Sequence, residues 1–152
     1  MKLDYDYIIA GSGLAGLSLL HHLLLEDALC KKKILVIDKE QKTENDRTWC
    51  FWEKGKSIFE PIVHHQWKTL QFFSPDVAKS FALKKYCYKM IQAGDFYSLV
   101  LGHAATFENV TFKAGNIVEM DAKKGMAILK TDKETYSGKY IFNSTGLFNP
   151  EM

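Results

Sequence analysis

From Tyr7 to Leu25 the chain reads YIIAGSGLAGLSLLHHLLL without a charged side chain, and polar positions resume at Glu26 and Asp27. The run has the length of a membrane span, about 20 residues. However, Gly11, Ser12, Gly13 and Gly16 crowd its first half and His21 and His22 interrupt its second. A secretory signal fits no better, because Met1 to Asp6 reads MKLDYD and the apolar run ends in acids, not in a small-residue cleavage site. The pattern divides better into two buried elements. Tyr7 to Ala10 is a short continuous apolar run, as expected of a parallel strand covered on both faces. From Leu14 onward, Leu17, Leu20, Leu24 and Ala28 recur at helical spacing with Leu19, Leu23 and Leu29 as a second stripe, which predicts a helix apolar nearly all round and packed inside protein. Lys31 to Lys33 then place cations near its C-terminus, where the macrodipole favours them, and Ile34 to Ile37 predict a second buried strand ending in Asp38. The three elements make a β-α-β unit.

Beyond Asp38 the pattern changes. A polar segment, Lys39 to Asp46, leads into Arg47-Thr48-Trp49-Cys50-Phe51-Trp52, and twelve of the twenty aromatic residues lie between Trp49 and Tyr97, interrupted by Gly55, Pro61 and Pro75. Residues 49–92 read as an inserted, mainly β segment whose rings form a small core of their own or line a ligand. The first part of the main domain is then 1–48, and the rest of it 93–152. In that last part Gly94-Asp95 can cap a helix from Phe96 to about Ala105, with Phe96, Leu99, Val100 and His103 at helical spacing. Val110 to Phe112 supply a third core strand. Asn116 to Met120 and Met126 to Leu129 flank a hairpin turn at Asp121 to Gly125, and with a third piece near Thr135-Tyr136 they predict a β-meander. Tyr140 to Asn143 return as a buried strand ending in Ser144-Thr145-Gly146.

Composition narrows the function classes. The 152 residues carry twenty Lys and Arg against eighteen Asp and Glu, a net charge of +2 with no long block of one sign, which gives nucleic acid no support. Cys30, Cys50 and Cys87 are odd in number and far apart, fitting neither a disulfide framework nor a zinc site, so a reducing cytosol is the simplest setting. The pairs His21-His22 and His64-His65 point in different directions on a helix or strand, so no metal is expected. Glu53, Glu60, Asp76 and Asp95 are acids without a visible partner, and no nucleophile constellation stands out.

The candidate chemistry lies at the strand-helix junction. Gly11-Ser12-Gly13-Leu14-Ala15-Gly16 is a G-x-G-x-x-G between a predicted strand and a predicted helix, and Asp38 follows 22 residues after Gly16. Gly11 permits the tight turn, Gly13 lets backbone approach a pyrophosphate, and Gly16 allows helix to pack closely on strand. The diphosphate rests on free amides at the positive end of the helix, and the Asp38 carboxylate accepts hydrogen bonds from an adenosine ribose while repelling the 2′-phosphate of NADP. Lys39 adjoins that acid, Arg47 is either a phosphate donor or a solvated cation, and Thr145 with Gly146 gives a second place where backbone can approach a ligand. NAD and FAD both use this fingerprint.

With these residues assembled, the chain resembles the N-terminal part of an FAD-dependent flavoprotein, and more narrowly the bacterial lycopene β-cyclases of the carotenoid pathway. The segment Tyr5 to Gly16 is shared with many flavoproteins. The narrower pieces are Asn45-Asp46-Arg47-Thr48-Trp49-Cys50-Phe51-Trp52, Tyr88-Lys89-Met90-Ile91, Asp95-Phe96-Tyr97 and Asn143-Ser144-Thr145-Gly146, where many relatives carry Asp-Ala-x-Gly. The resemblance implies an α/β, Rossmann-like FAD/NAD(P)-binding fold with a parallel sheet, a β-meander crossover and an incomplete β-rich substrate segment. It implies noncovalent FAD with NAD(P)H as reductant, and lycopene or a related apolar carotenoid as substrate. The implied reaction is a redox-neutral, acid-catalysed closure of lycopene ends to β-ionone rings. The location implied is cytoplasmic, with peripheral attachment to the membrane surface. The family's Phe-Leu-Glu acid motif and late Gly-Asp flavin segment are expected beyond Met152. The chain is therefore expected to be an N-terminal fragment that holds the ADP half of FAD and does not cyclise alone. A different FAD enzyme, such as a prenyl reductase or hydroxylase, and a non-enzymatic dinucleotide-binding module are the competing readings.

Overall fold

The structure is a computed structural model, and it describes residues 3–40, 42, 44–123 and 125–146. In chain order its elements are β1 (Tyr5–Ala10), α1 (Leu14–Leu25), β2 (Ile34–Asp38), β3 (Thr48–Glu53), a 3-10 turn (Glu60–Ile62), β4 (Val63–Trp67), β5 (Thr69–Ser74), β6 (Val77–Ala82), β7 (Cys87–Gln92), α2 (Ala93–Ala104), β8 (Val110–Ala114), β9 (Ile117–Lys123), β10 (Met126–Thr131) and β11 (Thr135–Asn143). They divide between two compact units, Met1–Lys42 with Val100–Met152, and Thr43–Leu99.

The first unit is built on a six-stranded sheet in the order β8-β2-β1-β11-β10-β9. The neighbours β8, β2, β1 and β11 are parallel, while β10 and β9 run antiparallel. The continuous apolar runs explain the centre, since Ile8, Ile9, Ala10, Ile34, Leu35 and Ile37 are fully buried. One face of the sheet packs Ile8, Ala10, Leu35 and Ile37 with Ile117, Leu129 and Tyr136.

Several local expectations give way to tertiary effects. Helix α1 buries Gly16, Leu17, Leu20, His21, Leu23 and Leu24, but Leu25 is exposed, so one face of the helix is buried and not its whole circumference. The helix ends at Leu25 because Glu26 is extended and its carbonyl takes the amides of Leu29 and Cys30, turning the chain. Ala28 and Leu29 therefore lie outside it, and the basic residue of its last turn is His22, with Lys31 to Lys33 beyond that turn. Lys33 instead serves β1, its carbonyl accepting from the amides of Asp6 and Tyr7 and its amide donating to Asp6.

Helix α2 starts three residues before the expected Phe96. The Asn45 side chain accepts from the Gly94 amide at 3.0 Å and does the capping, which leaves Asp95 within the first turn. Strand β8 is an edge strand with Phe112 exposed, so it is not a core strand. The meander turn is shorter than expected, because Asp121 and Ala122 belong to β9; Lys124 lies outside the described residues. The pieces near Thr135 and Tyr140 are one strand, β11. Its first half pairs antiparallel with β10 and its second parallel with β1, and Tyr140 is exposed, so the expected buried strand is only partly covered.

In the second unit β7 lies between β3 and β4, and β5 pairs with β6 as a separate two-stranded hairpin. Trp49 packs edge-on against Phe96 and Tyr97, and Phe59 contacts Phe96 with ring centroids 5.5 Å apart. These rings form a core of the unit's own, whereas Trp52, Phe72, Phe73 and Phe81 stay exposed.

Candidate dinucleotide-binding site

The three glycines of the β1-α1 loop do different jobs. Gly11 has φ +99°, a left-handed conformation that other residues adopt at a cost, and its amide is held by the Ile37 carbonyl at 2.7 Å. Gly16 is the close-packing position, since a Cβ there would lie 2.1 Å from the Gly11 carbonyl oxygen and 2.8 Å from Ser144 Oγ. A Cβ on Gly13 would meet nothing within 4 Å. Gly13 is the N-cap of α1, no side chain caps the first turn, and that turn holds no acid. Leu14 and Ala15 follow it, half-buried and exposed respectively. The amides of the first turn have no intrahelical acceptor and lie at the positive end of the dipole. The space that a Gly13 side chain would fill is thus open beside donors suited to a diphosphate.

Asp38, at the end of β2, is tied to this loop. Its Oδ2 accepts from the Ser12 amide at 2.7 Å and the Ser12 hydroxyl at 2.8 Å. Burial pushes its carboxyl up, but the Ser12 hydrogen bonds, with Lys42 at 4.0 Å, outweigh that and hold it below the ordinary carboxylate value. An ionised carboxylate at the end of the neighbouring strand is what recognition of a ribose requires. The Lys39 side chain is exposed and 3.7 Å from Glu40, while its backbone hydrogen-bonds the Asp38 carboxylate.

The end of β11 closes the other side. The Ser144 amide and hydroxyl bond the Ala10 carbonyl at 2.8 and 2.9 Å, and the hydroxyl also reaches the Gly11 carbonyl at 3.0 Å. Asn143 Oδ1 accepts from the Thr145 amide and hydroxyl, and Gly146 follows with φ +71°. Thr145 Cγ2 lies 3.2 Å from where a Gly11 Cβ would be, so Thr145 adjoins the turn. Ser144 thereby has a role that the sequence left undefined: it fastens the glycine turn to the neighbouring strand.

Arg47 belongs to the second unit. There it is exposed, 3.5 Å from Asp46, and its carbonyl accepts from the Ala93 amide. Two clusters escaped the sequence. Lys89, 1% exposed, donates to Glu53 at 2.6 Å, Glu60 at 2.5 Å and the Gly55 carbonyl at 2.7 Å, which supplies partners for two acids that had none by spacing. Its only signal was a lone cation within the apolar run of β7. His21 and His103 meet through their Nδ1 atoms at 3.1 Å, joining α1 to the last turn of α2. Among the described residues no group of three or more metal-ligating side chains occurs.

The family described as lycopene cyclase protein matches residues 6–152. The chain belongs to the lycopene cyclase family. No curated protein matches it significantly. Among solved structures it is similar to the halogenase PltM (15% identity, TM-score 0.66), with 93% of this chain and 34% of that chain covered. It is also similar to the Diels-Alderase PyrE3 of pyrroindomycin biosynthesis (14%, 0.65), covering 93% and 32%. A third is PqsL, a probable FAD-dependent monooxygenase from Pseudomonas aeruginosa (13%, 0.64), covering 90% and 41%. These likenesses show a Rossmann-like FAD/NAD(P)-binding α/β fold with a mostly parallel sheet. This chain spans about a third to two fifths of their lengths.

Proposed function

We propose that the β1-α1 loop holds the ADP half of noncovalently bound FAD and that the whole protein is a lycopene β-cyclase. The observation carrying the first part is the open side of Gly13 at an uncapped helix N-terminus, with ionised Asp38 at the end of the adjacent strand. The amides of Leu14 and Ala15 bind the diphosphate, Asp38 accepts from ribose hydroxyls and disfavours a 2′-phosphate, and Thr145 with Gly146 leaves backbone close to the ligand. Family membership supports the second part. The substrate is lycopene or a related apolar carotenoid. Protonation of a terminal double bond, closure of a six-membered ring and loss of a proton leave a β-ionone end without net oxidation. Reduced FAD, maintained by NAD(P)H, supplies negative charge that stabilises the cation. The protein works in the cytoplasm at a membrane surface; among the described residues no helix is long and apolar enough to cross a membrane.

Two experiments test this separately. Titration of the 152-residue chain with FAD and with ADP should show binding in the wild type and none in Gly13→Val; equal binding by both would remove the loop from the site. Expression of the complete reading frame in lycopene-accumulating bacteria should convert the pigment to cyclic carotenes. Unchanged lycopene, with flavin-loaded protein present, would refute the cyclase reading.

A further inference from the structure

The β5-β6 hairpin is explained by neither the nucleotide site nor the aromatic core. Its register pairs Leu70 with Phe81, Phe72 with Lys79 and Ser74 with Val77 on one face, and Phe73 with Ala78 on the other. On the first face Phe72 and Phe81 are 57 and 49% exposed and Val77 is exposed with them, while Phe73 is 70% exposed on the other. A two-stranded ribbon open on both faces is marginal by itself in water, and contiguous exposed apolar surface marks an interaction site. The charge around it is one-sided. Lys68, Lys79, Lys84 and Lys85 are all exposed, against Asp76 as the one acid of residues 68–85. Lys68 and Leu83 close the open end of the hairpin through a 2.7 Å hydrogen bond, which places Lys84 and Lys85 next to that end.

We infer that this hairpin docks on an anionic phospholipid surface through the face that carries Phe72, Val77 and Phe81, burying these at the headgroup boundary while the lysines pair with lipid phosphates. Aliphatic Leu70 and Val77 share that face with the two rings, giving a hydrocarbon surface and not the stacked platform that single-stranded nucleic acid needs. Lys79, in register with Phe72, can lay its methylenes along the ring and keep its ammonium among the headgroups.

The inference deepens the reading of a membrane-surface enzyme and rests on it. Its test contains no flavin and no carotenoid, so it fails or succeeds independently of the cofactor and substrate experiments. The 152-residue chain is co-sedimented with vesicles of phosphatidylcholine containing phosphatidylglycerol, and with phosphatidylcholine alone. Binding should need the anionic lipid and weaken as salt rises from about 0.01 M to about 1 M, where the Debye length falls to about 3 Å. Phe72→Ser/Phe81→Ser should lower partitioning about tenfold or more, and Lys79→Glu/Lys84→Glu/Lys85→Glu should abolish it, with far-UV circular dichroism unchanged. As a gain of signal that survives loss of either variant, Phe72→Trp should add blue-shifted emission on mixing with anionic vesicles. Absent binding by the wild type, equal binding by the variants, a hairpin-dependent dimer in place of vesicle binding, or capture of a poly(U) strand instead would each overturn the inference.

Discussion

Gly16→Ala sets two physical effects against each other and predicts which wins. Helix propensity alone favours alanine over glycine by about 1 kcal/mol. Geometry opposes it, because the new Cβ would lie 2.1 Å from the Gly11 carbonyl oxygen, 2.8 Å from Ser144 Oγ and 3.1 Å from Ile9 Cγ2. The Gly11 carbonyl cannot retreat, since Ser144 Oγ holds it at 3.0 Å and the Gly11 amide is bonded to Ile37. Helix α1 must therefore lift by roughly an ångström, loosening Leu17 and Leu20. Overpacking of this kind costs about 3 kcal/mol at the upper end of its range. Subtracting the propensity gain leaves about 2 kcal/mol of destabilisation, which lowers Tm by about 4 to 8 °C in a chain of this size. Gly102→Ala is the internal control, because a Cβ there meets nothing within 4 Å and only propensity acts. It should raise Tm by up to about 4 °C. Thermal unfolding followed by far-UV circular dichroism reads both variants. A Gly16→Ala protein as stable as the wild type, or stabilised like Gly102→Ala, would refute the packing argument.

The remaining predictions concern charge. Lys89→Met leaves the Glu53 and Glu60 carboxylates facing each other without their shared cation. That should cost about 3 to 5 kcal/mol in urea unfolding at neutral pH. Asp38 is held below its ordinary value, so its contribution to stability is present above the unfolded value of about 3.9 and is lost as pH falls through the lowered folded value. Asp38→Asn should flatten that part of an acid-unfolding curve and weaken ADP binding about tenfold or more by calorimetry, through loss of a charged hydrogen-bond acceptor. Burial, then His103 and His22, push the His21 imidazole down. Its contribution is therefore full above about pH 6.5 and is lost as pH falls through the lowered folded value, and His21→Leu should remove this slope from urea midpoints measured across that range.

The loop, its flanking strands and the start of the helix were legible because each has a local signature: a continuous apolar run, glycines at fixed spacing and a strand-end acid. What stayed hidden depends on partners distant in sequence. Asn45 caps α2 from 49 residues away, His21 and His103 are 82 apart, and Lys89 gathers acids 36 and 29 residues before it. The end of α1 was misplaced for a related reason. Ala28 and Leu29 continue the apolar period, and only the fold shows that their backbone turns to bring Lys33 beside β1. Likewise β11 reads as two strands because its halves serve different neighbours, and alternation cannot say which strand will pair with which.

The glycine fingerprint itself is not one signal. Gly11 and Gly16 are explained within the folded chain, by a left-handed turn and by contacts that leave no room for a Cβ. They would be required even if nothing bound. Gly13 has no such internal reason, since its side faces open space. It is the member of the motif whose lack of a side chain leaves open space, as the proposed diphosphate site requires. The same separation bears on the reaction. A halogenase, a Diels-Alderase and a probable monooxygenase share this fold at TM-scores of 0.64 to 0.66, so the fold does not choose the chemistry. Within this chain, variation in what the protein does must therefore arise outside Gly11, Gly16 and Ser144, whose geometry is used up in building the loop.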